Sequence, residues 1–172
     1  MGRLILITGG ARSGKSACAE SLVPRGPTAA VTYLATAEAL DEEMAERIRR
    51  HRARRPPHWR TVEAPRDADR RLAELTGAQG WIIFDCLTIF LANVLDEGDD
   101  EAILERVAAM AQTAAAGQAD TVVVTNEVGS GIVPDTPVGR RFRDLAGLAN
   151  TEVARRAAEV YCTVAGIAQR LK

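Results

Sequence analysis

The chain has 172 residues and a mass of 18.5 kDa, the size of one ordinary domain. Hydrophobic residues make up 47% and charged residues 26%, which supports a buried core and excludes wholesale disorder. The charges nearly balance, at a net charge of -1, which argues against a general nucleic-acid coat or a polybasic membrane anchor. We therefore expect one domain, residues 1–172, without a nucleic-acid partner.

The cysteines and the short apolar runs indicate in which cellular compartment the protein is found. The three cysteines, Cys18, Cys86 and Cys162, are an odd number, form no C-x-x-C motif and lie in apolar segments, which predicts reduced core residues. The apolar run Leu4–Ile7 is far shorter than the roughly 20 residues that span a bilayer, and too short for a secretion signal. The sequence thus predicts a soluble, cytoplasmic protein with no membrane span.

In chain order, apolar runs rich in β-branched residues alternate with stretches of helical spacing. Strands are predicted at Arg3–Thr8, Ala30–Ala35, Trp81–Asp85, Thr121–Thr125 and Val160–Ala165. Helices are predicted at Lys15–Val23, Ala37–Arg54, Cys86–Leu95, Asp100–Ala115 and Val138–Glu159. Because the strands are nearly continuous hydrophobic runs, they predict an α/β fold with a mostly parallel sheet flanked by helices. Ligands bind at the carboxyl ends of such strands, so we expect the chemistry there.

The segment after the first strand fits the pattern G-x-x-x-x-G-K-[ST], and we call it the phosphate loop. It consists of Gly9, Gly10, Ala11, Arg12, Ser13, Gly14, Lys15 and Ser16. Glycines let backbone N–H groups wrap around phosphate oxygens, and the following helix adds its positive end. Lys15 can reach the β- and γ-phosphates, while the Ser16 hydroxyl can bind Mg²⁺. The motif predicts a nucleoside triphosphate site but leaves the base and the reaction open.

A second metal-binding residue is predicted at the end of the strand Trp81–Asp85. A strand that ends in an acid is typical of the carboxylate that orders Mg²⁺ or its waters in phosphate-loop proteins. The alternative is that Asp85 caps the following helix, since Asp is favoured at that position.

The segment Arg47–Arg55 contains six arginines and no acid. Acidic residues precede it, so one interpretation is that the charges complement the dipole of a helix that Pro56-Pro57 ends. The other is that guanidinium groups at this density bind a second polyphosphate.

His51 lies within this segment and is one of two histidines in the chain. At about 100° per residue it shares an apolar, inward face with Leu40, Met44 and Ile48. It is therefore either a core histidine bonded to a carbonyl or, among phosphate-binding arginines, a nucleophile toward phosphorus. Spacing alone leaves both open. His58 is predicted to lie in a loop.

Taken together, these segments resemble the bifunctional adenosylcobinamide kinase/adenosylcobinamide-phosphate guanylyltransferase family of cobalamin biosynthesis, over nearly the whole length. Besides the phosphate loop, the resemblance is carried by Tyr33–Thr36, Arg47-Ile48, His51, Arg55-Pro56, Asp85–Thr88, Thr125–Pro134 and Arg140–Asn150. The string Thr125–Pro134, with Phe142-Arg143-Asp144 and Gly147, is more specific than the phosphate loop.

The resemblance implies a RecA-like P-loop NTPase fold, a homotrimer and two reactions. ATP or GTP phosphorylates adenosylcobinamide, and GTP then donates GMP to the resulting adenosylcobinamide phosphate. The second reaction gives adenosylcobinamide-GDP and pyrophosphate through a GMP–histidine intermediate, whose matching position is His51. Mg²⁺ is the implied cofactor, and Ser16 and Asp85 are its implied ligands.

Nucleotide-binding positions are implied in the same way. They match the phosphate loop, the strand end Leu34, Ala35 and Thr36, residues Arg52, Ala53, Arg54 and Arg55, and also Glu63 and Asp85. Catalytic roles are implied for Lys15 and His51.

Three other classes of protein are weighed against this one. A GTP switch protein needs an Asn-Lys-x-Asp guanine reader, whereas Asn126 is followed by Glu127, and no Asp-x-x-Gly segment follows the Asp85 strand. A small-metabolite kinase would need only the phosphate loop. A nucleotide-binding subunit without catalysis would also fit the loop, and the balanced charge indicates no docking surface for it.

Overall fold

The structure is a computed structural model that describes every residue from Met1 to Lys172. Its strands are β1 (Leu4–Gly9), β2 (Val31–Ala35), β3 (Arg60–Glu63), β4 (Trp81–Asp85), β5 (Asp120–Val124), β6 (Glu159–Val164) and β7 (Ile167–Arg170). Its helices are α1 (Lys15–Leu22), α2 (Glu42–Ala53), α3 (Ala68–Leu75), α4 (Leu87–Val94), α5 (Asp100–Ala116) and α6 (Pro137–Arg156). No helix is both long and apolar enough to span a bilayer.

All seven strands form one sheet in the order β3-β2-β4-β5-β1-β6-β7. Every neighbouring pair is parallel except β6 and β7, which are antiparallel. The predicted α/β class with a mostly parallel sheet is therefore confirmed. Strand β5 lies between β1, which leads into the phosphate loop, and β4, which ends at Asp85.

The core lies on both faces of the sheet, as the continuous apolar runs predicted. Along β1, Leu4 and Leu6 belong to a cluster of 25 buried residues on one face, which includes residues of α3 to α6. Ile5 and Ile7 belong to a cluster of 11 buried residues on the opposite face, where α1 packs. Since successive side chains of a strand point to opposite faces, the central strands β1, β2, β4 and β5 each contribute to both clusters.

Three elements were not predicted, and weak burial or short length explains each omission. Strand β3 is a four-residue edge strand with no buried residue, and every residue of β7 is exposed. Helix α3 is only eight residues long, so its apolar face extends over little more than two turns. Polar edge strands and short helices carry little of the hydrophobic periodicity on which the predictions depended.

All five predicted helices differ from the observed bounds, three of them by only one residue at an end and two of them by three or more residues at one end. The helix predicted from Ala37 begins at Glu42, because the Asp41 carboxylate caps it by accepting a 2.7 Å hydrogen bond from the Met44 N–H. The helix predicted to reach Glu159 ends at Arg156, because Glu159 pairs with Ile5 as the first residue of β6.

All three cysteines are free, but only Cys86 is buried. The prediction of core positions was wrong for Cys18 and Cys162, which are half-buried. Cys162 lies on β6, whose outer neighbour is the exposed β7, so that part of the sheet lacks a full cover.

Candidate active site

The phosphate loop connects the end of β1 to the first residue of α1. Gly14 precedes α1 with a φ of 101°, a conformation that L-residues rarely adopt. A Cβ atom at Gly14 would also lie 3.1 Å from the Cα of Gly166. The second glycine of the motif is thus required by both backbone conformation and space.

Three neighbouring segments hold the phosphate loop by hydrogen bonds: the end of β6, the turn between β6 and β7, and the residues just after β5. The Gly166 N–H donates to the Ser13 carbonyl at 2.9 Å, and the hydroxyls of Ser13 and Thr163 are 2.8 Å apart. The Glu127 N–H, just past β5, donates to the Gly9 carbonyl at 3.0 Å. These bonds hold the loop in one shape, so its N–H groups are arranged before a phosphate binds.

Lys15 lies inside this loop and is only 8% exposed. Its Nζ donates to the Gly10 carbonyl at 2.5 Å, so the ammonium group faces the concave side of the loop. Burial lowers the pKa of Lys15, and Arg47 of α2 adds to that effect, whereas Cys86 and Asp85 oppose it. A phosphate chain in the loop would supply the anionic partner that this buried cation lacks.

Asp85 ends β4 beside the loop, as predicted. Its Oδ2 accepts a hydrogen bond from the Ser16 hydroxyl at 3.2 Å and a short one from the Tyr33 hydroxyl. The alternative interpretation of Asp85 as a helix cap is wrong, because Cys86 caps α4 and its Sγ accepts from the Ile89 N–H. The Asp85 carboxylate is therefore left for a role at the end of the sheet.

The predicted inward face of the arginine-rich helix is only partly correct. Helix α2 has no buried residue; Met44, Ile48 and His51 are half-buried, and Leu40 lies before the helix and is 81% exposed. His51 is therefore not a core histidine. Its ring lies on the side of α2 that faces the rest of the protein, and it remains partly exposed to solvent.

The arginines of this segment fall into two groups. Arg49 and Arg50 form ion pairs with Glu46 along α2, and Arg52 pairs with Glu63 of β3. The remaining three, Arg47, Arg54 and Arg55, are the ones whose positive charges act on His51. The dipole interpretation is confirmed for the ends of α2, with Glu42 and Glu43 in the first turn and basic residues in the last, but it does not account for this second group.

Partial burial lowers the pKa of His51. The Asp85 carboxylate opposes this shift, whereas Arg47, Arg54 and Arg55 add to it. Asp85 and Arg47 act in the same way on Lys15, so the His51 and Lys15 side chains are influenced by the same two charged groups. The lowered pKa favours the neutral imidazole, the form that has a free nitrogen lone pair.

We expect an NMR titration of the His51 ring to have its midpoint below the usual value for histidine, about 6.5. A lowered pKa means that the ring stays neutral until the pH has fallen past that value. The resonance is assigned by its loss in His51→Ala. A midpoint at or above the usual value would contradict the electrostatic arrangement described above.

The structure also places the other implied nucleotide-binding residues. Leu34 and Thr36 are completely buried, and the Thr36 hydroxyl bonds to the backbone of Cys86. The Thr36 N–H and carbonyl are also bonded, to Asp85 and Asn93, so neither residue presents a free side chain to a ligand. Ala35 is half-buried beside Glu63 in the pairing of β2 with β3, and Ala53 is exposed at the end of α2.

Three features of the site had no signal in the sequence pattern. Tyr33 contacts Asp85 from the neighbouring strand, and buried Glu20 of α1 lies 3.7 Å from Arg54. Thr125, at the end of β5, donates to the Asn150 side chain at 2.7 Å and is 3.0 Å from the Thr88 hydroxyl. Tyr33 and the Thr125–Asn150 pair lie within segments that carry the resemblance, but their contacts join residues far apart in the chain.

Comparison with known proteins identifies the family to which this chain belongs. A family model described as cobinamide kinase / cobinamide phosphate guanyltransferase matches residues 5–171. The bifunctional adenosylcobalamin biosynthesis protein CobU of Escherichia coli is 41% identical over 98% of this chain and 99% of its own length. CobU of Salmonella typhimurium is 40% identical over the same shares, and CobP of Pseudomonas aeruginosa is 41% identical over 97% and 96%. The chain therefore belongs to the cobinamide kinase / cobinamide phosphate guanyltransferase family.

Proposed function

We propose that this protein carries out both family reactions at the site between the phosphate loop and α2. It phosphorylates adenosylcobinamide with ATP or GTP, and it then transfers GMP from GTP to adenosylcobinamide phosphate. The observation that carries the proposal is the arrangement of contacts: Lys15 lies inside the phosphate loop whose Ser16 bonds to Asp85, while Arg54 and Arg55, which follow His51 in the chain, contact Glu20 of α1 and Tyr33 of β2.

In the kinase reaction the phosphate loop binds the triphosphate and Lys15 stabilises charge on the transferred γ-phosphoryl group. The substrate hydroxyl attacks the γ-phosphorus and releases its proton to water, and the bond from that phosphorus to the bridging oxygen breaks with its electron pair leaving on the nucleoside diphosphate. The remaining nucleoside diphosphate stays in the loop until it is released. The fixed shape of the loop supports this role, because its donors need no rearrangement during the reaction.

The residues beside the loop fit a magnesium ion. Mg²⁺ prefers hydroxyl and carboxylate oxygens together with phosphate oxygens and water, and it uses only one or two carboxylates. Ser16 and Asp85, whose side-chain oxygens are 3.2 Å apart, would hold it. When bound, the ion would neutralise charge on the phosphate oxygens.

In the transfer reaction the His51 imidazole is the nucleophile. A ring nitrogen attacks the α-phosphorus of GTP, an N–P bond forms, and the bond to the bridging oxygen breaks with its electron pair leaving on pyrophosphate. The phosphate of adenosylcobinamide phosphate then attacks the same phosphorus, and the N–P bond breaks to give adenosylcobinamide-GDP and the free ring. Arg54 and Arg55, near the ring, would offset the charge on the departing pyrophosphate.

We further propose that the chain acts in the cytoplasm as a homotrimer, as the family resemblance implies. The exposed apolar side chains of Ile132, Val133 and Val138 support a contact between copies, since such groups favour association.

The proposal is tested by incubating the protein with Mg²⁺ and GTP labelled in either the α- or the γ-phosphate. Label from the α-phosphate should stay on the denatured protein, be released by acid and resist base, as expected of an N–P bond. Label from the γ-phosphate should not stay. Absence of bound α-label would favour the simple metabolite kinase instead.

A further inference from the structure

Tyr33 is a buried residue that touches both halves of the proposed site. It lies on β2, is 1% exposed, and donates its hydroxyl hydrogen to Oδ2 of Asp85. The guanidinium carbon of Arg55 lies 3.4 Å from the centroid of its ring. One side chain thus contacts the acid at the end of β4 and an arginine that acts on His51.

The sheet itself explains why Tyr33 reaches Asp85. Tyr33 is paired with Ile83 in the parallel ladder of β2 and β4, two residues before Asp85. Side chains two residues apart on a strand point to the same face, so the Tyr33 ring and the Asp85 carboxylate lie on one side of the sheet. A long side chain at this diagonal position is needed to reach the carboxylate.

The hydrogen bonds of Asp85 are arranged asymmetrically. Oδ2 accepts from both Tyr33 and Ser16, whereas Oδ1 accepts no hydrogen bond from the protein. The Tyr33 hydroxyl therefore fixes the rotation of the carboxylate and leaves Oδ1 for a ligand.

The ring of Tyr33 also contacts Arg55, whose guanidinium group has few hydrogen-bond partners. The guanidinium group of Arg55 makes one hydrogen bond, from a terminal nitrogen to the Thr61 hydroxyl at 3.3 Å, and its buried Nε has no partner. The face of the Tyr33 ring is thus the main surface on which this guanidinium lies.

We propose that Tyr33 is a positioning residue, which orients the Asp85 carboxylate for metal binding while its ring supports Arg55. The inference rests on the proposed function, because it takes Asp85 to be a metal ligand. It assigns to Tyr33 no contact with substrate.

The test uses Tyr33→Phe, which removes the hydroxyl and keeps the ring under Arg55. Mn²⁺ serves as the probe, and its affinity for the protein with a non-hydrolysable GTP analogue is measured by electron paramagnetic resonance. Loss of a hydrogen bond to a charged group should weaken Mn²⁺ binding about tenfold. Affinity for the analogue without metal should be unchanged, and at saturating Mn²⁺ the rate of GMP–protein formation should return to within about twofold of wild type.

The matched control is Tyr161→Phe. Tyr161 is the other tyrosine of the chain, and its hydroxyl donates to Glu159 at 2.6 Å on β6, so this variant loses the same kind of bond at a different place. Its Mn²⁺ affinity should equal that of wild type. Equal Mn²⁺ weakening in both tyrosine variants would overturn the inference.

Asp85→Asn separates failure of this inference from failure of the proposed function. If Asp85→Asn weakens Mn²⁺ binding and Tyr33→Phe does not, Tyr33 has no positioning role and the metal assignment stands. If Asp85→Asn also leaves Mn²⁺ affinity unchanged, the metal assignment itself is wrong, and the inference fails with it.

Discussion

His51→Ala is expected to lower the rate of GMP transfer by about 10³-fold or more, because the covalent intermediate cannot form without its nucleophile. Phosphorylation of adenosylcobinamide by ATP should continue near the wild-type rate, since the phosphate loop is unchanged. The measurements are the retention of α-phosphate label on the protein and the formation of the phosphorylated and guanylylated products. His51 is half-buried on a helix with no buried residue, so its removal should disturb the fold little.

His58→Ala is the matched control for this variant. His58 is the other histidine of the chain, and it is exposed in the turn that precedes β3. It should keep full labelling and full transfer. Undiminished α-label on His51→Ala would show that another residue carries the GMP, and loss of label in both variants would remove the assignment to His51.

Lys15→Ala is expected to lower the kinase rate by roughly 10²–10³-fold, the range seen when one group that stabilises the transition state is removed. The reason is the placement of its ammonium group, which lies inside the phosphate loop and is almost completely shielded from water. A buried cation acts on the transferred phosphoryl group with little screening by solvent. The measurement is the rate of adenosylcobinamide phosphorylation by ATP at saturating Mg²⁺.

Lys172→Ala is the control that removes the other lysine of the chain. The Lys172 ammonium contacts the carbonyls of Ala154 and Arg155 near the end of α6 and touches no part of the phosphate loop. We expect its kinase rate to match wild type. A wild-type rate in Lys15→Ala would mean that the loop is only structural.

The two active-site variants also distinguish the classes of protein weighed at the start. Loss of GMP transfer in His51→Ala with a retained kinase rate is possible only for a bifunctional enzyme. A metabolite kinase would be sensitive to Lys15→Ala and indifferent to His51→Ala. A nucleotide-binding subunit without catalysis would show neither reaction in the wild-type protein.

The local pattern of residues was sufficient for the α/β class, the phosphate loop and the end of β4 at Asp85. These features depend on neighbours in the chain: a buried strand is an apolar run, and the loop is a contiguous string of residues that wraps around one phosphate chain. The family resemblance was also carried by contiguous motifs. For the same reason the edge strand β3 and the exposed β7 were missed, since they bury too little to leave a pattern.

The tertiary structure alone excluded one of the two alternatives that the sequence left open for Asp85 and for His51. Asp85 is not a helix cap, because Cys86 takes that position. His51 is not a core residue, because α2 has no fully buried residue. The tertiary structure also brought Tyr33 to Asp85 and placed Arg47, Arg54 and Arg55 near His51, with Arg54 also paired with Glu20 of α1. Such contacts join separate strands and helices, and their geometry follows from strand register and helix packing, which no local spacing of residues encodes.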